Sequence, residues 1–144
     1  MPEATKQKTW SAEALLGTAY TTVDLAKQVG ADDVAATVTR QRGVDFEWRE
    51  GQLERAQEDA TRALSVALYV DGRYSTHVTH DLDPERLKAF LGEAVALTRH
   101  LQPDPHRQIP DPALYEGRSK EDLDLVDPQL AELDREDREA WCRE

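Results

Sequence analysis

Residues 44–79 read VDFEWREGQLERAQEDATRALSVALYVDGRYSTHVT, and the fold turns on this stretch. In VDFEWRE, Val44, Phe46 and Trp48 alternate with Asp45, Glu47 and Arg49, the period of two that marks a strand with one face buried and one in water. Leu64, Val66, Leu68 and Val70 alternate in the same way with Ser65, Ala67 and Tyr69. That run stops at Asp71-Gly72, a dipeptide suited to the positive φ angles of a tight hairpin turn, and the return strand is expected over residues 73–79. Between the two runs, residues 52–62 are poor in strand formers and by propensity would suit a short helix. A strand over residues 53–58 is favoured, because Glu50-Gly51 reads as a turn and a helix there lacks an apolar stripe. The charge of this segment (Leu53, Glu54, Arg55, Ala56, Gln57, Glu58) suits an exposed edge, making it a candidate docking strand for a peptide or a partner.

Helices are expected to flank the sheet. Ser11 is a plausible N-cap, with Trp10 before it set to staple onto Leu15, and apolar residues then recur at helical spacing over residues 12–29 up to Gly30. Val34, Ala36 and Val38 make a weaker alternation ending at Arg42-Gly43, read as a separate first strand. Asp83-Pro84 is a cap followed by a first-turn proline, opening a helix over residues 84–101. Four prolines (Pro103, Pro105, Pro110, Pro112) then forbid regular structure and predict an extended connector. Asp127-Pro128 signals a third helix running to Glu144. The organisation expected is a disordered terminus at 1–10, an α+β domain at 11–102, a connector at 103–117 and an acidic helical segment at 118–144 leading toward a second domain. The sheet is expected to be mainly antiparallel with helices on one face. Its buried face should join Val44, Phe46, Trp48, Leu64, Val66 and Leu68 to Leu15, Leu16, Leu87, Phe90 and Leu91.

Composition excludes several functions. The 144 residues carry 29 acidic and 18 basic side chains, a net charge of -11, which repels a phosphate backbone and argues against direct nucleic-acid binding. One cysteine, Cys142, forms no internal disulfide, and no apolar run approaches a secretory or membrane-spanning length, so a reducing cytoplasm is the expected compartment and no membrane partner is expected. His77 and His80 lie three apart on a strand, so their imidazoles diverge, and they read as polar strand-end residues rather than metal ligands. His100 and His106 flank prolines, Cys142 has no activating neighbour, and Trp10, Trp48 and Trp141 read as packing residues. Neither a phosphate-cradling glycine loop nor a zinc motif is present. On these grounds no catalytic and no metal residue is assigned.

A resemblance goes further. GADDVAATV at 30–38, EGQLERAQEDATRALSVALYVDGRYSTHVTHDL at 50–82 and DPERLKAFLGEAVALTRHL at 83–101 resemble, in order and spacing, the N-terminal domain of the TldD/PmbA family, also called modulators of DNA gyrase. PDPALYEG at 110–117 and DLDLVDP at 122–128 resemble the PmbA branch, also called TldE. Tyr74-Ser75-Thr76-His77 departs from the family, which tends to carry a small residue such as glycine there. The resemblance implies a bacterial or archaeal cytoplasmic metallopeptidase system in which TldD and TldE subunits assemble and process peptides. It also implies that zinc is held by HExxxH in the catalytic partner subunit. This chain lacks that motif, so it is expected to be inactive alone and to need no cofactor. Its expected partners are a TldD-like subunit, its own C-terminal domain and peptide substrates. The alternative is a stand-alone peptide- or protein-binding module that uses the exposed edge strand.

Overall fold

Ser11 opens the first helix: its hydroxyl accepts a hydrogen bond from the Ala14 N–H at 3.2 Å, satisfying one of the donors that a helix start leaves free. This helix, α1 (Ala12–Gln28), ends in a Schellman motif. The Ala31 N–H donates to the Ala26 carbonyl and the Gly30 N–H to the Lys27 carbonyl, at 3.0 and 3.1 Å, with Gly30 at φ 104°, where an L side chain would be strained. The computed structural model describes residues 11–143. The chain forms two units, one of residues up to Arg40 with Arg62–Pro110, the other of Gln41–Thr61 with Asp111 onward. The N-terminal segment and the Trp10–Leu15 staple lie outside the described residues.

Three strands follow, β1 (Asp33–Arg49), β2 (Gln52–Val70) and β3 (Arg73–Thr79), in the order β1-β2-β3. β2 and β3 are antiparallel, with Leu64 opposite Thr79 and Val70 opposite Arg73. Both hairpins turn through residues of positive φ, Glu50 and Gly51 at 50° and 78°, Asp71 and Gly72 at 50° and 70°. That is the requirement of a type I′ turn, whose twist matches that of the strands. The helix α2 (Pro84–Thr98) is capped by Asp83, whose carboxylate accepts from the Arg86 N–H at 3.2 Å, with Pro84 in the first turn. In the first unit, the core joins Val34, Leu64, Val66, Leu68 and Val70 of the sheet to Ala26 of α1 and Leu87, Leu91, Ala94 and Val95 of α2. The molecule is therefore α+β, an antiparallel sheet with helices packed on one face, as the patterning predicts.

Several expectations are corrected. The separate first strand and the VDFEWRE strand are one continuous β1, and Gly43 lies inside it. The segment at 53–58 is a strand, and it is continuous with the run at 64–70 as β2. Val44, Phe46 and Trp48 are half-buried in the second unit and do not belong to the buried core. Leu16 is 56% exposed, while Leu15 and Phe90 are half-buried. α2 stops at Thr98, short of residue 101. The proline connector is not wholly irregular, since Asp111 accepts from the Ala113 N–H at 2.9 Å and starts a short 3₁₀ turn, Pro112–Tyr115. The third helix is two: α3 (Gln129–Glu132) and α4 (Arg135–Arg143). Asp134 and Asp137 each accept from the other's N–H, at 2.9 and 3.2 Å, and this reciprocal cap starts a new helix where one run was expected.

Candidate functional site

β3 reaches only as far as Leu64 along β2. Among the described residues, 52–61 therefore have β1 as their one strand neighbour, and no backbone hydrogen bond joins them to a loop or helix. They form a two-stranded ribbon with residues 41–49 of β1. From Glu54 to Thr61 every side chain is exposed, while Leu53 is half-buried. A strand edge of this kind presents unpaired N–H and C=O groups to whatever extended chain approaches it. Leu53, Glu54, Arg55, Ala56, Gln57 and Glu58 all lie on it.

Ion pairs cross the ribbon. The Arg55 guanidinium meets the Asp45 carboxylate at 2.5 Å and that of Glu47 at 3.9 Å, and Arg42 meets Glu58 at 2.7 Å. The hydrogen bond and charge of Asp45, helped by Glu47, raise the already high pKa of Arg55. Glu54 and Asp59 make no salt bridge among the described residues. Asp59 lies across Gly43: a Cβ added there would sit 2.5 Å from its Oδ1. Glycine within a strand thus marks a place where another group approaches closely. At the ribbon's tip, Arg49, Glu50, Gln52, Leu53 and Glu54 line a solvent-open hollow of ≈ 460 Å³.

The histidines have separate partners. His80 Nδ1–H donates to the Arg62 carbonyl at 2.7 Å. His77 sits on β3, edge-on to the Phe90 ring of α2, with Nε2 2.9 Å from Ser75 Oγ, and Ser75 Oγ is 2.5 Å from Thr98 Oγ1. Because the Thr98 hydroxyl donates to the Ala94 carbonyl at 2.7 Å, Ser75 donates to Thr98 and accepts from the Nε2–H of His77. Burial lowers the His77 pKa from its ordinary value. This relay joins residues on β3 and α2, and its long sequence separation gave no local signal. Among the described residues, no group of three or more His, Cys, Asp or Glu side chains is placed to hold a metal ion. Cys142 is a half-buried free thiol on α4, and Trp48 lies under the Arg143 guanidinium, 4.8 Å from the ring centre. No helix among the described residues is long and apolar enough to cross a membrane.

Residues 34–98 match the family model described as PmbA/TldA metallopeptidase domain 1. The chain is 26% identical over 98 residues to the metalloprotease PmbA of Escherichia coli O157:H7, a match that takes in 68% of this chain and 22% of that protein. In structure it resembles a candidate modulator of DNA gyrase from Bacteroides thetaiotaomicron, with a TM-score of 0.82 and 30% identity, over 91% of this chain and 29% of that one. TldE from Thermococcus kodakarensis shares the fold at a TM-score of 0.57 and 16% identity, over 66% of this chain and 22% of that one. The chain thus spans about a fifth of its curated relative, and the family-model match runs from Val34 in β1 to the last residue of α2. By these matches the chain resembles the PmbA/TldD family, and residues 34–98 match that family's first domain.

Proposed function

We propose that this chain is a non-catalytic domain of the PmbA (TldE) branch, acting in a TldD/TldE-type metallopeptidase complex that processes peptides in the cytoplasm. Its work there is assembly or the admission of peptide, and zinc belongs to the HExxxH-bearing partner subunit. The observation that carries this reading is the ribbon edge at residues 52–61, a long strand edge without a second strand neighbour among the described residues. The match to the family's first domain supplies the context. In the subunit, the α+β domain at 11–102, the connector at 103–117 and the acidic segment at 118–144 would lead into a further domain of the same protein, itself a partner.

Co-expression with a TldD-like subunit that bears HExxxH tests this. The expected result is a complex on size exclusion, peptide cleavage that depends on that subunit, and zinc found by elemental analysis only where that subunit is present. Arg55→Pro removes a backbone donor from the ribbon and should weaken assembly or peptide capture more than it lowers the unfolding midpoint. Zinc retained by this chain alone, with peptide cleavage, would refute the reading. Peptide capture without any association with a TldD-like subunit would favour a stand-alone binding module.

A further inference from the structure

We infer that the open edge of β2 takes an extended segment that carries lysine or arginine on both of its faces. The inference rests on the docking reading of that edge and adds the chemistry of its occupant. At about 3.3 Å per residue, ten residues of strand offer roughly 33 Å of edge, with the N–H and C=O of every second residue turned outward. The backbone alone would accept any extended chain, so the side chains decide which.

Two of the ribbon's three guanidinium groups are already engaged. Arg55 is held by Asp45 and Glu47, and Arg42 by Glu58. Glu54 and Asp59 are left without a salt bridge among the described residues. Side chains alternate along a strand, and 54 and 59 differ by an odd number, so the two free carboxylates stand on opposite faces of the ribbon. A strand docked beside them meets one carboxylate above and one below, whichever of its faces carries the basic residue. The position of Asp59 depends in addition on the missing side chain of Gly43.

A second copy is a poor occupant. Residues 41–61 hold six carboxylates (Asp45, Glu47, Glu50, Glu54, Glu58, Asp59) and three guanidinium groups (Arg42, Arg49, Arg55), and the whole chain carries -11. Two such edges side by side place like charges opposite one another, which destabilises a strand pair.

The intact chain, labelled with ¹⁵N, is titrated at low and high salt with three ten-residue probes. These are a Lys-Lys-Thr-Thr repeat, which sets lysine on both faces of a strand (the Lys–Thr probe), the same repeat with Glu for Lys (the Glu–Thr probe), and the Lys–Thr probe with all of its amides N-methylated. The Lys–Thr probe is expected to shift the amide resonances of residues 52–61, the Glu–Thr probe to leave them unchanged, and N-methylation to abolish the effect. An exposed ion pair contributes up to roughly fivefold in affinity, so Glu54→Gln with Asp59→Asn should weaken binding up to roughly 25-fold at low salt, and less at high salt. Shifts confined to the acidic segment after residue 117, or binding indifferent to N-methylation, would mean charge attraction without edge pairing and would overturn the inference. So would equal binding of the Glu–Thr probe. If the Lys–Thr probe fails while Arg55→Pro still breaks assembly with a TldD-like subunit, the cationic occupant is refuted and the assembly edge stands.

Discussion

Truncating Leu68 and Phe46 to alanine separates the two hydrophobic regions that the sequence pattern had joined. Leu68 is 0% exposed on β2, cross-strand from Ser75, in the same cluster as Leu64, Val66, Val70, Leu87, Leu91 and Val95. Leu68→Ala removes the equivalent of about three methylenes, worth roughly 2.4 kcal/mol at about 0.8 kcal/mol each. The rest of its effect is a cavity that neighbours on a paired strand close only in part, which takes the expected loss to about 3–4 kcal/mol. With a denaturant slope of about 2 kcal/mol/M, the urea midpoint should fall by roughly 1.5–2 M without a change of slope. Phe46 is half-buried in the ribbon, so Phe46→Ala should cost about half as much, roughly 1.5–2 kcal/mol. Far-UV circular dichroism follows helices and sheet together, while Trp48 fluorescence, with Trp10 and Trp141 changed to Phe in every variant, follows the ribbon. A loss below about 1 kcal/mol for Leu68→Ala, or equal losses for the two variants, would refute this placement of the core.

The remaining predictions concern the helix start and the half-buried His77 imidazole. Asp83→Ala removes the cap that accepts the Arg86 N–H and should lower stability by about 1 kcal/mol, read as a drop in thermal midpoint that Asp83→Asn largely avoids. His77 has a lowered pKa in the folded chain because burial disfavours its charged form, so below the ordinary value the unfolded chain binds the extra proton and the folded chain resists it. The stability His77 contributes is complete above about pH 6.5 and declines as pH drops through its folded pKa. Urea melts between pH 7.5 and 5 should decline less steeply for His77→Gln than for the parent, and parallel slopes would show that the imidazole is solvated.

The parts of this fold that were legible in the sequence are those set by local chemistry. Alternation over residues 64–70 ending at Asp71-Gly72 located β2, its turn and β3, and Asp83-Pro84 located the start of α2, because period, turn and cap each need only neighbouring residues. What failed needed distant ones. Gly43 reads locally as a break, yet its small size serves a carboxylate sixteen residues on, and the strand passes straight through it. Phe46 and Trp48 announce a half-buried face without naming the layer that meets it. Leu133 carries the expected helix pattern forward, but Asp134 and Asp137 cap one another and start α4 anew. Of the candidate site, the strand at 53–58 was legible from its turn and charge. How far that exposed edge runs was not, since its length depends on where β3 stops along β2.

The two hairpin turns are alike in backbone and unlike in their surroundings. Around Asp71 and Gly72, the Asp71 N–H donates to the Asp32 carboxylate at 2.7 Å, the Asp104 N–H donates to the Gly72 carbonyl at 2.9 Å, and Arg99 reaches the Asp71 carboxylate at 3.4 Å. Arg73, the next residue, donates to the Leu101 carbonyl at 2.9 Å. That turn is a knot in which the chain after α1, the hairpin and the chain after α2 are fastened together, so it cannot take the loop insertions that hairpins commonly tolerate. Among the described residues, Glu50 and Gly51 make no comparable backbone hydrogen bond to another part of the chain. For anyone attaching a dye, an affinity handle or a second protein within this chain, the tip at residues 50–51 is the open socket, and the tip at 71–72 is already wired.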